Sequence, residues 1–211
     1  MPAGGEFSVY PAAPAARATL LLAHGAGAGR LSPFMVQIGR LLAARGLLVG
    51  AFDFPYMAAR RKVPDRGPVL EQAWREAIAA WRQRPDAEGL PLFIGGKSMG
   101  ARIASHVAAG DDAVDVAGLV FLGYPLHPPG KPDQRRDAHL PAIAAPMLFV
   151  QGGRDPFGTA DEIRALLPRL RQPTLHVVED GDHSFKMRKR STDDVMAEVA
   201  DTVARWIGSR A

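Results

Sequence analysis

Six short apolar runs punctuate the chain, at 18–23, 47–52, 92–94, 116–122, 147–150 and 174–178. Most are nearly continuous rather than alternating with polar residues. Strands covered on both faces of a parallel sheet have this pattern. The segments between them carry a helical period. Leu70, Trp74, Ile78 and Trp81 fall on one face of a helix predicted over 68–84. Ser32 and Pro33 open a helix that Gly46 closes. Small residues predict another over 99–109, and Thr159 with Glu162 forms a capping box opening 159–170. Val195, Val199, Val203 and Trp206 mark the buried face of a last helix over 191–207. Strand and helix alternate throughout, so the expected class is α/β, a mostly parallel sheet with helices on both faces.

With 211 residues the chain is expected to form one domain, 1–211. Residues 1–16 are read as an N-terminal arm or edge strand. Residues 123–145 hold five prolines and are read as a short, lid-like loop. Hydrophobic residues at 47% and charged residues at 23% exclude a disordered chain. The absence of cysteine excludes a disulfide scaffold, a thiolate metal site and a cysteine nucleophile, and leaves the redox compartment open. No basic-then-apolar leader and no apolar run near the membrane-spanning length of about 20 residues is present. The expectation is a soluble cytoplasmic protein with no membrane partner, as monomer or homodimer.

In sheets of this kind ligands bind beyond the carboxyl ends of the strands. After the run at 92–94 comes Gly95-Gly96-Lys97-Ser98-Met99-Gly100, whose last five residues match G-x-S-x-G. On a sharp strand-to-helix turn, such a serine presents its hydroxyl, and side chains two residues before and after would collide with neighbouring backbone. The same Gly-Lys-Ser could end a phosphate-binding loop, but that pattern needs glycine at position 91, which is Pro91. A serine hydroxyl needs a base, and the base needs an orienting acid. On this scaffold the acid follows the serine in the chain, and the histidine follows the acid. Asp155 follows the run at 147–150, and His183 follows the run at 174–178. The expected triad is therefore Ser98, His183 and Asp155. Asp182 is the rival acid, badly placed to brace its own neighbour. The other histidines have weaker claims.

A tetrahedral intermediate also needs two backbone N–H donors. Met99 supplies one by position, and Ala26, in the glycine-rich turn after 18–23, supplies the other. His24, Lys97, Tyr124 and Arg154 flank these turns and complete the list as candidate substrate contacts, His24 chiefly as a brace for its own loop. No cofactor is implied. Metal chemistry has no support, because the six histidines are dispersed and H-E-x-x-H is absent.

Four segments carry a resemblance: GGKSMGARIAS from Gly95, GYPLHPPGK from Gly123, QGGRDPFG from Gln151 and DHSF from Asp182. The chain resembles an α/β-hydrolase-like family that includes testis-expressed protein 30 and the third regulatory subunit of the chromatin NSL complex. More distantly it is similar to dienelactone-hydrolase-like enzymes. The resemblance implies an α/β-hydrolase fold with Ser98, Asp155 and His183 at the triad positions. Dienelactone hydrolases carry a cysteine where this chain has Ser98. The chromatin-associated member shows that the fold also serves as a scaffold.

The net charge is +4, with 21 Arg and 5 Lys, an imbalance also expected of a GC-rich genome. The post-strand loops at 24–31, 53–67, 123–145, 153–158 and 180–190 hold thirteen basic and seven acidic residues, so they carry +6 and the rest −2. A basic rim favours anionic ligands. The loops lack aromatic interleaving, which argues against a nucleic-acid partner. The expected function is hydrolysis of a small ester or thioester, with a preference for anionic substrates. The alternative is a non-catalytic interaction module on the same fold.

Overall fold

A computed structural model describes residues 6–13 and 15–211; residues 1–5 and 14 of the expected N-terminal arm lie outside the described residues. Seven strands form one sheet: β1 (Ser8–Tyr10), β2 (Ala18–Ala23), β3 (Leu47–Phe52), β4 (Leu92–Lys97), β5 (Gly118–Leu122), β6 (Met147–Gly152) and β7 (Pro173–Val178). Their order is β1-β3-β2-β4-β5-β6-β7. β1 pairs antiparallel with β3 as an edge strand, and every other pairing is parallel. Among the described residues six α-helices accompany the sheet: α1 (Pro33–Ala43), α2 (Pro55–Ala58), α3 (Gly67–Arg82), α4 (Met99–Val107), α5 (Ala160–Leu166) and α6 (Thr192–Gly208).

The continuous apolar runs are explained by burial on both sides. In β2, Leu21 and Ala23 face α3, α4 and α5, while Leu20 and Leu22 face α1 and α6. The same alternation runs through β5, where Leu119 and Phe121 point one way and Val120 and Leu122 the other. Each large side chain so buried contributes about 1.5–3 kcal/mol. All four residues of the predicted face at 68–84 are buried, joined by Ala77.

Several boundaries differ from expectation for identifiable reasons. β4 runs on past its apolar stretch to Lys97, because Gly95 and Gly96 keep hydrogen-bonding to β5 after the apolar residues end. α5 forms behind the full capping box of Thr159 and Glu162 but ends at Leu166. Pro168 then permits only a 3₁₀ turn over Leu167–Arg169. The segment 123–145 buries Tyr124, Leu126, Leu140 and Ile143 in the core on the α3–α5 side. Those four side chains pack inward there.

One buried polar contact ties a helix to the sheet. The Trp81 indole N–H donates to Oγ1 of Thr19 in β2 at 2.9 Å. Thr19→Val keeps the shape and orphans that donor. The expected loss is about 1–3 kcal/mol in a urea unfolding titration, with the slope unchanged.

Candidate active site

Ser98 occupies the turn between β4 and α4 with φ 53° and ψ −114°. A non-glycine residue there carries about 1–3 kcal/mol of backbone strain. The surroundings impose it. A Cβ on Gly96 or on Gly100 would lie 2.2 Å from the carbonyl oxygen of Ala23. Only glycine at both positions lets β4 and α4 press against the end of β2, and the chain between them has room for no other course.

The serine hydroxyl faces His183. Oγ lies 2.8 Å from Nε2, and Nδ1 lies 2.7 Å from Oδ2 of Asp155. The carboxylate only accepts, so Nδ1 carries the imidazole proton and Nε2 is left to accept from the hydroxyl. Asp155 is fully buried. Its Oδ1 accepts the Phe157 N–H at 2.8 Å, and its Oδ2 also accepts Gln151 Nε2 at 3.0 Å. The His183 turn is equally fixed. Asp182 accepts the N–H groups of Ser184 and Lys186, and Phe185 is buried against the α1–α6 side. Asp182 thus shapes the turn, and Asp155 braces the imidazole.

A family model described as an alpha/beta hydrolase domain matches residues 16–208. The chain belongs to this α/β-hydrolase family. Solved structures share the fold. A dienelactone hydrolase from Anabaena variabilis is 22% identical with a TM-score of 0.75, over 97% of this chain and 91% of that one. An alpha-beta serine hydrolase homologue from Coxiella burnetii is 18% identical with a TM-score of 0.75, over 95% and 90%. A lidless serine hydrolase family member from Xanthomonas campestris is 22% identical with a TM-score of 0.67, over 95% and 88%.

The cleft of this α/β-hydrolase family member beside Ser98 measures about 360 Å³. Phe34, Met35 and Phe157 give it apolar walls, and Gly25, Ala26 and Lys97 also line it. The Gly25 backbone lies over the serine: a Cβ there would be 3.6 Å from Ser98 Cβ. Among the described residues, the N–H groups of Ala26 and Met99 have no protein acceptor, so both are free for a ligand oxygen. A larger hollow of about 530 Å³ opens at the amino ends of the strands, beside Trp81 and Pro91, away from all of these groups.

The four expected substrate contacts separate. Lys97 lines the cleft. His24 does not: it is fully buried, bonds through Nδ1 to its neighbour's carbonyl and accepts the Phe54 N–H at Nε2. Burial holds its pKa below the usual value, so it stays neutral and fastens the glycine-rich loop. Tyr124 is a core residue whose hydroxyl donates to the Arg136 carbonyl; burial raises its pKa. Arg154 is exposed and donates to the Asp180 carbonyl outside the cleft. Side-chain chemistry alone did not separate these three, because each sits within two residues of a strand end and only packing decides its direction.

The charged rim also moves. None of the thirteen basic loop residues lines the cleft, and Arg30, Arg61, Arg135, Arg154 and Arg190 are paired with carboxylates. Among the described residues, Lys97 is the cleft's one lysine or arginine. No described cluster could hold a metal ion, and no described helix is long and apolar enough to cross a membrane.

Gln151 escaped the sequence reading. It is fully buried, and besides Asp155 its Nε2 reaches the Gly158 carbonyl at 2.7 Å, while its Oε1 accepts the Tyr124 N–H at 2.8 Å. The available signal was a single amide side chain closing the apolar run of β6. Gln151→Leu leaves three buried groups short of a partner. The expected result is about a tenfold fall in esterase kcat/KM and a stability loss of about 2–4 kcal/mol by denaturant titration.

Proposed function

We propose that the protein is a serine hydrolase that cleaves a small ester or thioester through an acyl-enzyme. One observation carries this reading: the unbroken hydrogen-bonded chain from Ser98 through His183 to Asp155. A scaffold has no need of a strained serine aligned with a histidine and a buried carboxylate.

In this reading Ser98 Oγ attacks the carbonyl carbon while Nε2 of His183 takes the hydroxyl proton. Asp155 stabilises the imidazolium through Nδ1–H. The oxyanion receives the N–H groups of Ala26 and Met99. Collapse expels the alcohol or thiol, which leaves with the proton returned by His183. Water then attacks acyl-Ser98 with His183 again as base, releasing the acid and restoring the hydroxyl. The apolar walls and a volume of about 360 Å³ suit a short acyl or aryl group better than a long lipid. A preference for anionic substrates belongs to the proposal, supported by Lys97 in the cleft. So does the narrower kinship with the testis-expressed protein 30 family, supported by the four sequence segments.

Ser98→Ala is expected to abolish hydrolysis of p-nitrophenyl acetate while circular dichroism shows the fold intact. A fluorophosphonate probe should label the native protein at Ser98 and leave the variant unlabelled. Turnover that survives the substitution refutes the assignment.

A further inference from the structure

Lys97 is a cation in an unusual place. The residue is only 8% exposed, yet among the described residues no carboxylate lies within ion-pair distance. The ammonium has three donors. Among the described residues, only the His183 carbonyl accepts from it. The rings of Phe34 and Phe185 lie side by side, 6.0 Å apart, each 5.7 Å from Nζ. Burial lowers its pKa to about 8, and Asp155 and Asp182 oppose that shift from farther off. A buried charge with unused donors is costly unless something pairs with it. The cleft is where a partner can arrive.

We propose that Lys97 is the specificity-determining residue of the cleft, anchoring a carboxylate carried by the ester substrate. This rests on the serine-hydrolase reading and names its substrate class: small esters, aryl ones included, bearing one carboxylate. One ammonium beside a pair of aromatic rings balances one negative charge. A phosphate dianion would bring a second charge into the same apolar surroundings without a partner. The aromatic walls at Phe34 and Phe157 take the body of the substrate, and its carboxylate meets the donors that His183 leaves unused.

The test compares 4-acetoxybenzoate with its uncharged carboxamide analogue at pH 7. Lys97→Met removes the charge; Lys97→Gln also removes it but keeps a donor for the His183 carbonyl. Both variants are expected to lose about 10- to 100-fold in kcat/KM on the carboxylate ester. Lys97→Gln should lose at least about tenfold more on the carboxylate ester than on the carboxamide, and fluorophosphonate labelling of Ser98 should persist. Calorimetry on Ser98→Ala supplies a readout independent of turnover. Binding of 4-hydroxybenzoate should exceed that of 4-hydroxybenzamide, and adding Lys97→Gln should erase the difference. Equal losses on both esters, with no binding difference, would show that Lys97 only steadies the His183 turn and would overturn the proposal. Failure of Ser98 labelling with the binding difference intact would overturn the hydrolase reading and leave the anion site standing.

Discussion

The carbonyl oxygen of Ala23 sets the geometry on which the site depends. It ends β2, and both arms of the β4–α4 turn approach it so closely that a Cβ at Gly96 or Gly100 would lie 2.2 Å away. That contact forces Ser98 into its strained conformation and lifts the hydroxyl clear of the sheet. It also brings the glycine-rich loop after β2 over the serine. The two expected donor groups, the N–H of Ala26 and of Met99, therefore come from the two chain segments that meet at this point. Packing between backbones, with no side chain intervening, is what holds strain in place where side chains could relax around it.

The rest of the site is arranged by the sheet order. β4 lies at the centre, with β5, β6 and β7 following on one side. Asp155 and His183 leave the ends of β6 and β7, so both arrive from the same side of Ser98. Each is then locked by groups outside the three: Gln151 and the Phe157 N–H for Asp155, Asp182 and Phe185 for the His183 turn. Each oxygen of Asp155 is occupied, which leaves the carboxylate one orientation.

The fold was legible because burial on both faces of the sheet leaves continuous apolar runs, and because α3 carries a regular buried face. The meeting of Ser98, His183 and Asp155 was legible because motif, chain order and strand ends agreed independently. What was hidden is direction. Tyr124, Arg154 and His24 stand beside the triad in sequence, yet one enters the core, one leaves for solvent and one pins a loop. Gln151 was hidden for the opposite reason: a lone amide at a strand end reads as a solvated boundary, and only tertiary packing shows it enclosed. The loop charges carry no direction either, since a sum along the chain does not record that none of the thirteen basic residues lines the cleft.

The inward packing of 123–145 has a kinetic consequence. Its apolar residues are committed to the core, and none of its residues lines the cleft. For an enzyme of this design, the water needed to clear an acylated serine enters from bulk solvent without waiting for a segment to swing aside. The acyl group would then meet bulk water directly, and any other soluble nucleophile would compete with that water only by its concentration and reactivity.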